Sequence, residues 1–172
     1  MRHKSSTTNK ILSLTRLTAI FLLLVATLSA SADELGDQFS ATLKQAEAGS
    51  ASAQYKIGQY YELGIGTKSD KAKAFEWYKK SAENNSAEGQ YQVGYAHYWG
   101  KQAEKDYELA IEWFMKAAEN GYQPAASYIA KMYKLGQGVD KDPALASEWE
   151  QKAREDTAFT LSDDVPEVEI QE

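Results

Sequence analysis

Along residues 70–84, small and apolar positions recur at spacings of three and four: Ala74, Trp77, Tyr78, Ser81 and Ala82. Lys, Glu and Asn fill the places between them. That spacing sets the five on one face of a helix. The preceding stretch, SAQYKIGQYYEL, is also helical in pattern and runs into Gly64-Ile65-Gly66. The two glycines are expected to end that helix, because glycine accepts left-handed backbone at low cost. Asp70 is the expected N-cap of the next one. The prediction is a helix pair, over about 51–63 and about 70–84.

The pattern repeats at a step of 36 with no gap. Gly64, Gly100 and Gly136 coincide, as do Trp77, Trp113 and Trp149, and Ala74, Ala110 and Ala146. Ile57, Val93 and Ile129 share an apolar position, Gly58, Gly94 and Ala130 a small one, and Tyr61, His97 and Tyr133 an aromatic one. Three copies in register indicate tandem units. The second and third pairs are then expected over about 87–99 with 106–120 and about 123–135 with 142–155, with Pro124 in a first turn where its missing N–H does no harm. One step before Phe75 and Ala82 lie Phe39 and Ala46, so GDQFSATLKQAEA (36–48) is predicted as a lone second-type helix capping the stack. No equivalent C-terminal cap is evident; Ala158, Phe159 and Leu161 are expected to fold back over the last helix. The recurring tryptophans are assigned to the structural core, as wedges between units.

The run Ala53 to Gly66 fits A-x-x-x-(L/I/V)-G-x-x-Y-x-x-G-x-G, and Ala74 to Asn85 fits A-x-x-W-(Y/F)-x-K-A-A-E-x-G. Recurring three times, this resembles the Sel1-like repeat, a relative of the tetratricopeptide repeat. Unit two departs at Gly100-Lys101-Gln102 and His97; unit three departs at Glu150 and Arg154. The resemblance implies an all-α, right-handed α/α solenoid of three helix pairs. The layout is a capping helix (33–48), repeats at 49–84, 85–120 and 121–156, and an acidic tail (157–172). It also implies a protein-binding adaptor or regulator of the bacterial envelope. A Cys-rich secreted branch of the family is linked to β-lactam binding and hydrolysis, which fits a chain with no cysteine poorly.

Composition adds a location. Residues 1–32 carry Arg2, Lys4, Lys10 and Arg16 and no acid, then the apolar run LTAIFLLLVATL, then Ala30-Ser31-Ala32. This is the layout of a secretory signal peptide cut before Asp33; the alternative is an uncleaved anchor. A periplasmic or secreted protein is expected, with membrane contact only through an uncleaved signal. Without residues 1–32 the net charge is −10, and residues 155–172 supply seven acids and no base. That end is expected to be disordered and solubilising, or else to dock on a basic partner. The balance argues against nucleic acid.

Catalytic chemistry finds little support. His3 belongs to the signal, and His97 alone lacks the partners a zinc site needs. No nucleophile elbow or phosphate loop is present. Asp70, Asp106 and Asp142 recur as caps, and Glu76 and Glu112 are expected to pair with Lys80 and Lys116. No catalytic residue, metal ligand or cofactor is therefore assigned. The binding surface is placed where the units differ. On the first helix of each pair these positions are Lys56, Gln59 and Glu62, then Gln92, Tyr95 and Tyr98, then Tyr128, Lys131 and Lys134. First helices line the concave side in related solenoids, so the nine would form one surface. Trp99, where the other units have Leu63 and Leu135, is expected to be partly exposed. Alternatives are an enzyme or binder acting on cell-wall peptides or β-lactams, and an oligomerising scaffold.

Overall fold

The computed structural model describes residues 33–162, and among these the only regular elements are seven helices. α1 covers 33–47. The pairs are α2 (Ala51–Leu63) with α3 (Lys71–Glu83), α4 (Ala87–Trp99) with α5 (Tyr107–Glu119), and α6 (Pro124–Leu135) with α7 (Pro143–Ser162). Each helix packs on the next from α2 to α7. First helices also meet: α2 touches α4, and Tyr91, Tyr95 and Tyr98 of α4 reach Tyr128 of α6. The signal segment and its cleavage site lie outside the described residues, as do 163–172 of the tail. α7 continues to Ser162, so 158–161 form its last turns rather than folding back over it.

Local chemistry places the helix ends as expected. Gly64, Gly100 and Gly136 close α2, α4 and α6 in left-handed conformation, each N–H returning to a carbonyl one turn back. Asp70 accepts from the N–H of Ala72 and Lys73, Asp106 from that of Leu109, and Asp142 from those of Ala144 and Leu145. The bond from Lys73 N–H holds the Asp70 carboxyl below its ordinary range. Ser50 and Ser86 cap α2 and α4 in the same way. α1 covers the first pair: Ala46 is buried with Ile57 and Tyr60, and Phe39 meets Tyr61 edge-on at 5.4 Å.

Two further expectations need correction. The tryptophans are not the buried wedges. Trp77, Trp113 and Trp149 are half-buried, and each is covered by the Lys one turn on: Lys80 at 4.0 Å, Lys116 at 4.3 Å and Lys152 at 4.1 Å from the ring centre. The next residue is the wedge. Tyr78 and Phe114 are 5% and 0% exposed, and they press on Gly58 and Gly94. A Cβ on Gly94 would stand 2.9 Å from the Phe114 ring. Unit three has Glu150 at this position and can carry Ala130 opposite. The second correction concerns the predicted Glu–Lys pairs. Lys80 and Lys116 lie over tryptophan rings, and Glu76 instead pairs with Lys79 at 3.8 Å.

A polar rung recurs in the interior. Asn84 donates to Gln54 Oε1, and Gln54 Nε2 donates to the Ala46 carbonyl. Asn120, Gln90 and the Ala82 carbonyl repeat it one unit on. Each buried amide left unpaired would cost about 1–3 kcal/mol; among the described residues no buried side-chain N or O lacks a partner. The third unit ends the series with buried Ala126. The C-terminal end is also chemically different. Gly89 of α4 seats closely on Ser81 and Ala82. At the matching places in α7 stand Ala153 and Arg154, so a charge occupies a position that is small inside the stack.

Candidate protein-binding surface

The nine positions selected from the first helices do not share one environment. Lys56, Glu62, Lys131 and Lys134 are exposed, and Gln59, Gln92, Tyr95 and Tyr128 are half-buried. Tyr98 is core: it is 3% exposed, with Tyr107 and Tyr128 rings each 5.3 Å away. Its hydroxyl donates to Gln137 Oε1, whose amide donates to Tyr107. Tyr98 is therefore withdrawn from the surface, because it fills the junction of α4, α5 and α6. Tyr128 stacks on Phe114 at 4.8 Å and supports the face more than it displays itself. Its hydroxyl, together with burial as the larger cause, pushes Tyr91 well above the ordinary phenol range.

Two clefts gather most of the remainder. The first, about 190 Å³, joins Glu62 of α2, Gln92 and Tyr95 of α4, Lys71, Phe75 and Tyr78 of α3, and Lys101 and Gln102 of the following turn. Tyr78 donates to Glu62 at 2.7 Å; burial and this carboxylate push the phenol far up, so it remains a fixed donor. The second, about 430 Å³, lies between α6 and α7 and places Lys131 and Lys134 beside Glu150 and Arg154. Lys134 reaches Glu150 at 3.3 Å. Lys56 and Gln59 join neither cleft: Lys56 lies over Tyr60, and Gln59 donates to Tyr55.

Lys71, Phe75, Lys101 and Gln102 were missed because variation was sought only along the first helices. The G-x-G departure at Lys101-Gln102 was the available signal. Gln102 takes φ +62°, where the other units use Gly66 and Gly138. Trp99 is 47% exposed, as expected. His97 is a packing residue, half-buried with Nδ1 2.9 Å from the Glu104 carbonyl and its ring edge-on to Phe75.

The periodic close packing of glycine on ring, the recurring caps and the charged terminus describe a repeat family. The Sel1 repeat model matches at 51–86, 87–122 and 123–156. The chain belongs to the Sel1 repeat family. A Sel1 repeat protein from Oxalobacter formigenes is 32% identical with a TM-score of 0.66, over 70% of this chain and 49% of that one. The protein c5321, a protective antigen of uropathogenic Escherichia coli with an SLR fold, is 33% identical with a TM-score of 0.65, over 69% of this chain and 26% of that one. The chain thus spans about half the length of the first and a quarter of the second. Helicobacter pylori cysteine rich protein B, 22% identical with a TM-score of 0.56 over 75% of this chain and 96% of that one, shares the fold. No curated protein matches the chain. Sel1 repeats generally serve as non-enzymatic scaffolds for protein–protein interaction. Among the described residues no cluster of acids and histidines could hold a metal, and no helix is long and apolar enough to cross a membrane.

Proposed function

We propose that this Sel1 repeat protein is a non-enzymatic adaptor or regulator that works in the periplasm, or as a secreted protein, and binds another protein through the face of its first helices. The observation that carries the reading is the first cleft. Residues from two successive units converge there beside the half-buried Tyr95 ring, and Glu62, Lys71, Phe75, Gln92 and Lys101 stand at positions that differ from unit to unit. Large rigid rings with adjustable polar neighbours suit protein recognition, since little side-chain entropy is lost on contact. The location rests on the composition of residues 1–32. End-to-end oligomerisation is disfavoured by the α7 end, where Arg154 replaces Ala82, one of the residues that seat the next helix inside the stack. The enzyme reading has no acid–base pair to support it.

The test joins location and partner. Cells expressing the full chain are fractionated, the mature N-terminus is sequenced, and crosslinked adducts are identified by mass spectrometry. The expected result is a chain starting at Asp33, adducts that vanish on Tyr95→Ser with Gln92→Ala, and no turnover of nitrocefin or peptidoglycan fragments. Adducts unchanged in that double variant, with helicity intact, would refute the surface.

A further inference from the structure

Charge on this molecule is segregated. Residues 33–154 carry a net −3, yet cations gather between α6 and α7 and just after α4. Lys131, Lys134 and Arg154 line the second cleft against one acid, Glu150, already paired with Lys134. Beside them stands Trp99, the last residue of α4. About half of its surface is open to solvent, and two ammonium groups lie near its ring, Lys101 at 6.0 Å and Lys131 at 5.6 Å from the ring centre. Tyr98 holds the indole edge-on at 5.1 Å, and Tyr95 lies 6.2 Å away. The Tyr98 hydroxyl donates to Gln137, and Lys131 lies over the Tyr98 ring at 5.3 Å, a neighbour that raises the Lys131 pKa. The equivalent residues, Leu63 and Leu135, are exposed aliphatics.

Packing on Tyr98 and Tyr95 accounts for part of Trp99, and the other half of its surface faces solvent. A half-exposed apolar plate with cations near its ring matches a ligand that is apolar at its centre and anionic beside it. We propose that Trp99, Lys101, Lys131 and Lys134 recognise an acidic peptide segment of a partner protein, with carboxylates on either side of one apolar side chain. The apolar group lies on the indole, and the carboxylates replace water on Lys101 and Lys131 and compete with Glu150 for Lys134. This assignment rests on the adaptor reading and names the chemistry of its partner. Opposed charges also speed encounter on an otherwise acidic protein.

The experiment measures fluorescence anisotropy of labelled peptides EELEE, EEGEE and KKLKK with the full chain. EELEE is expected to bind best and KKLKK not at all. Lys101→Glu with Lys131→Glu should weaken EELEE roughly ten-fold, the scale of two or more partly exposed ion pairs lost and reversed. Trp99→Ser should weaken EELEE and leave EEGEE unchanged. Circular dichroism checks that both variants stay folded. Equal binding of EELEE to wild type and charge-reversed protein would overturn the proposal. So would anionic phosphatidylglycerol vesicles binding more tightly than EELEE and losing that binding in the charge-reversed variant. Partner adducts from the first cleft without EELEE binding would remove the acidic-peptide assignment and leave the adaptor reading standing. Loss of both would remove the two together.

Discussion

Gly138→Ala isolates how tightly the units are clamped. Gly138 sits in the turn after α6 at φ +72° and presses on the backbone at the start of α5. A Cβ there would overlap the Tyr107 carbonyl and come within 2.7 Å of Glu108 N. Two effects add. Left-handed backbone costs an L-residue about 1–2 kcal/mol, reduced by roughly half a kcal/mol through the stiffer unfolded chain. Overlap with backbone, which cannot rotate away, costs about 1–3 kcal/mol. The sum is about 2–4 kcal/mol, a substantial part of an ordinary domain's roughly 5–15. Gly121→Ala separates the two, since Gly121 has φ +85° and open space around it. It should cost only the first part, about 1 kcal/mol. Urea unfolding of the 33–172 protein, followed by far-UV circular dichroism, measures both. Gly138→Ala no more destabilising than Gly121→Ala would refute the idea that this turn clamps α5.

Gln102→Gly should stabilise by about 1 kcal/mol, because Gln102 bears left-handed strain that glycine does not; an unchanged urea midpoint would contradict it. Phe114→Ala, at a fully buried site, should cost about 3–5 kcal/mol, and Trp113→Ala, half-exposed beneath Lys116, about half as much, in the same assay. Equal losses would restore the tryptophan as the wedge. Asp70 has a folded pKa below its ordinary value, so its contribution is present above about pH 4 and is lost as pH falls through the folded pKa. The difference in thermal midpoint between wild type and Asp70→Asn should therefore be largest near neutrality and close near pH 2.

What could be read from the chain was set by what repetition encodes. Gly64, Gly100, Gly136 and the three Asp caps recur because backbone geometry demands them in every unit, so their roles were legible. Recurrence shows that a position is constrained without showing how deep it lies. Trp77 recurs as a half-buried shelf for Lys80, whereas its neighbour Tyr78, which changes to Phe114 and Glu150, fills the core. The rung of Gln54 with Asn84, repeated by Gln90 with Asn120, was present at the step of 36 but is polar and escaped a search for apolar coincidences. Variation misleads in the same way. Glu62 and Lys134 face solvent, while Tyr98 at the same repeat position is buried, because Tyr107 and Tyr128 meet there in the middle of the stack. Of the nine first-helix positions, Glu62, Gln92 and Tyr95 line the first cleft and Lys131 and Lys134 the second, whereas Lys71, Lys101 and Gln102 of the first cleft were not legible. They belong to a turn and a second helix that only folding brings alongside.

Photo-crosslinking residues introduced one at a time test the proposed binding face most directly: at Gln92 and Lys131 on the first helices, and at Glu76 and Glu112 on the second. A shared partner adduct is expected from Gln92 and Lys131 and none from Glu76 or Glu112. Adducts from Glu76 and Glu112 alone would contradict it.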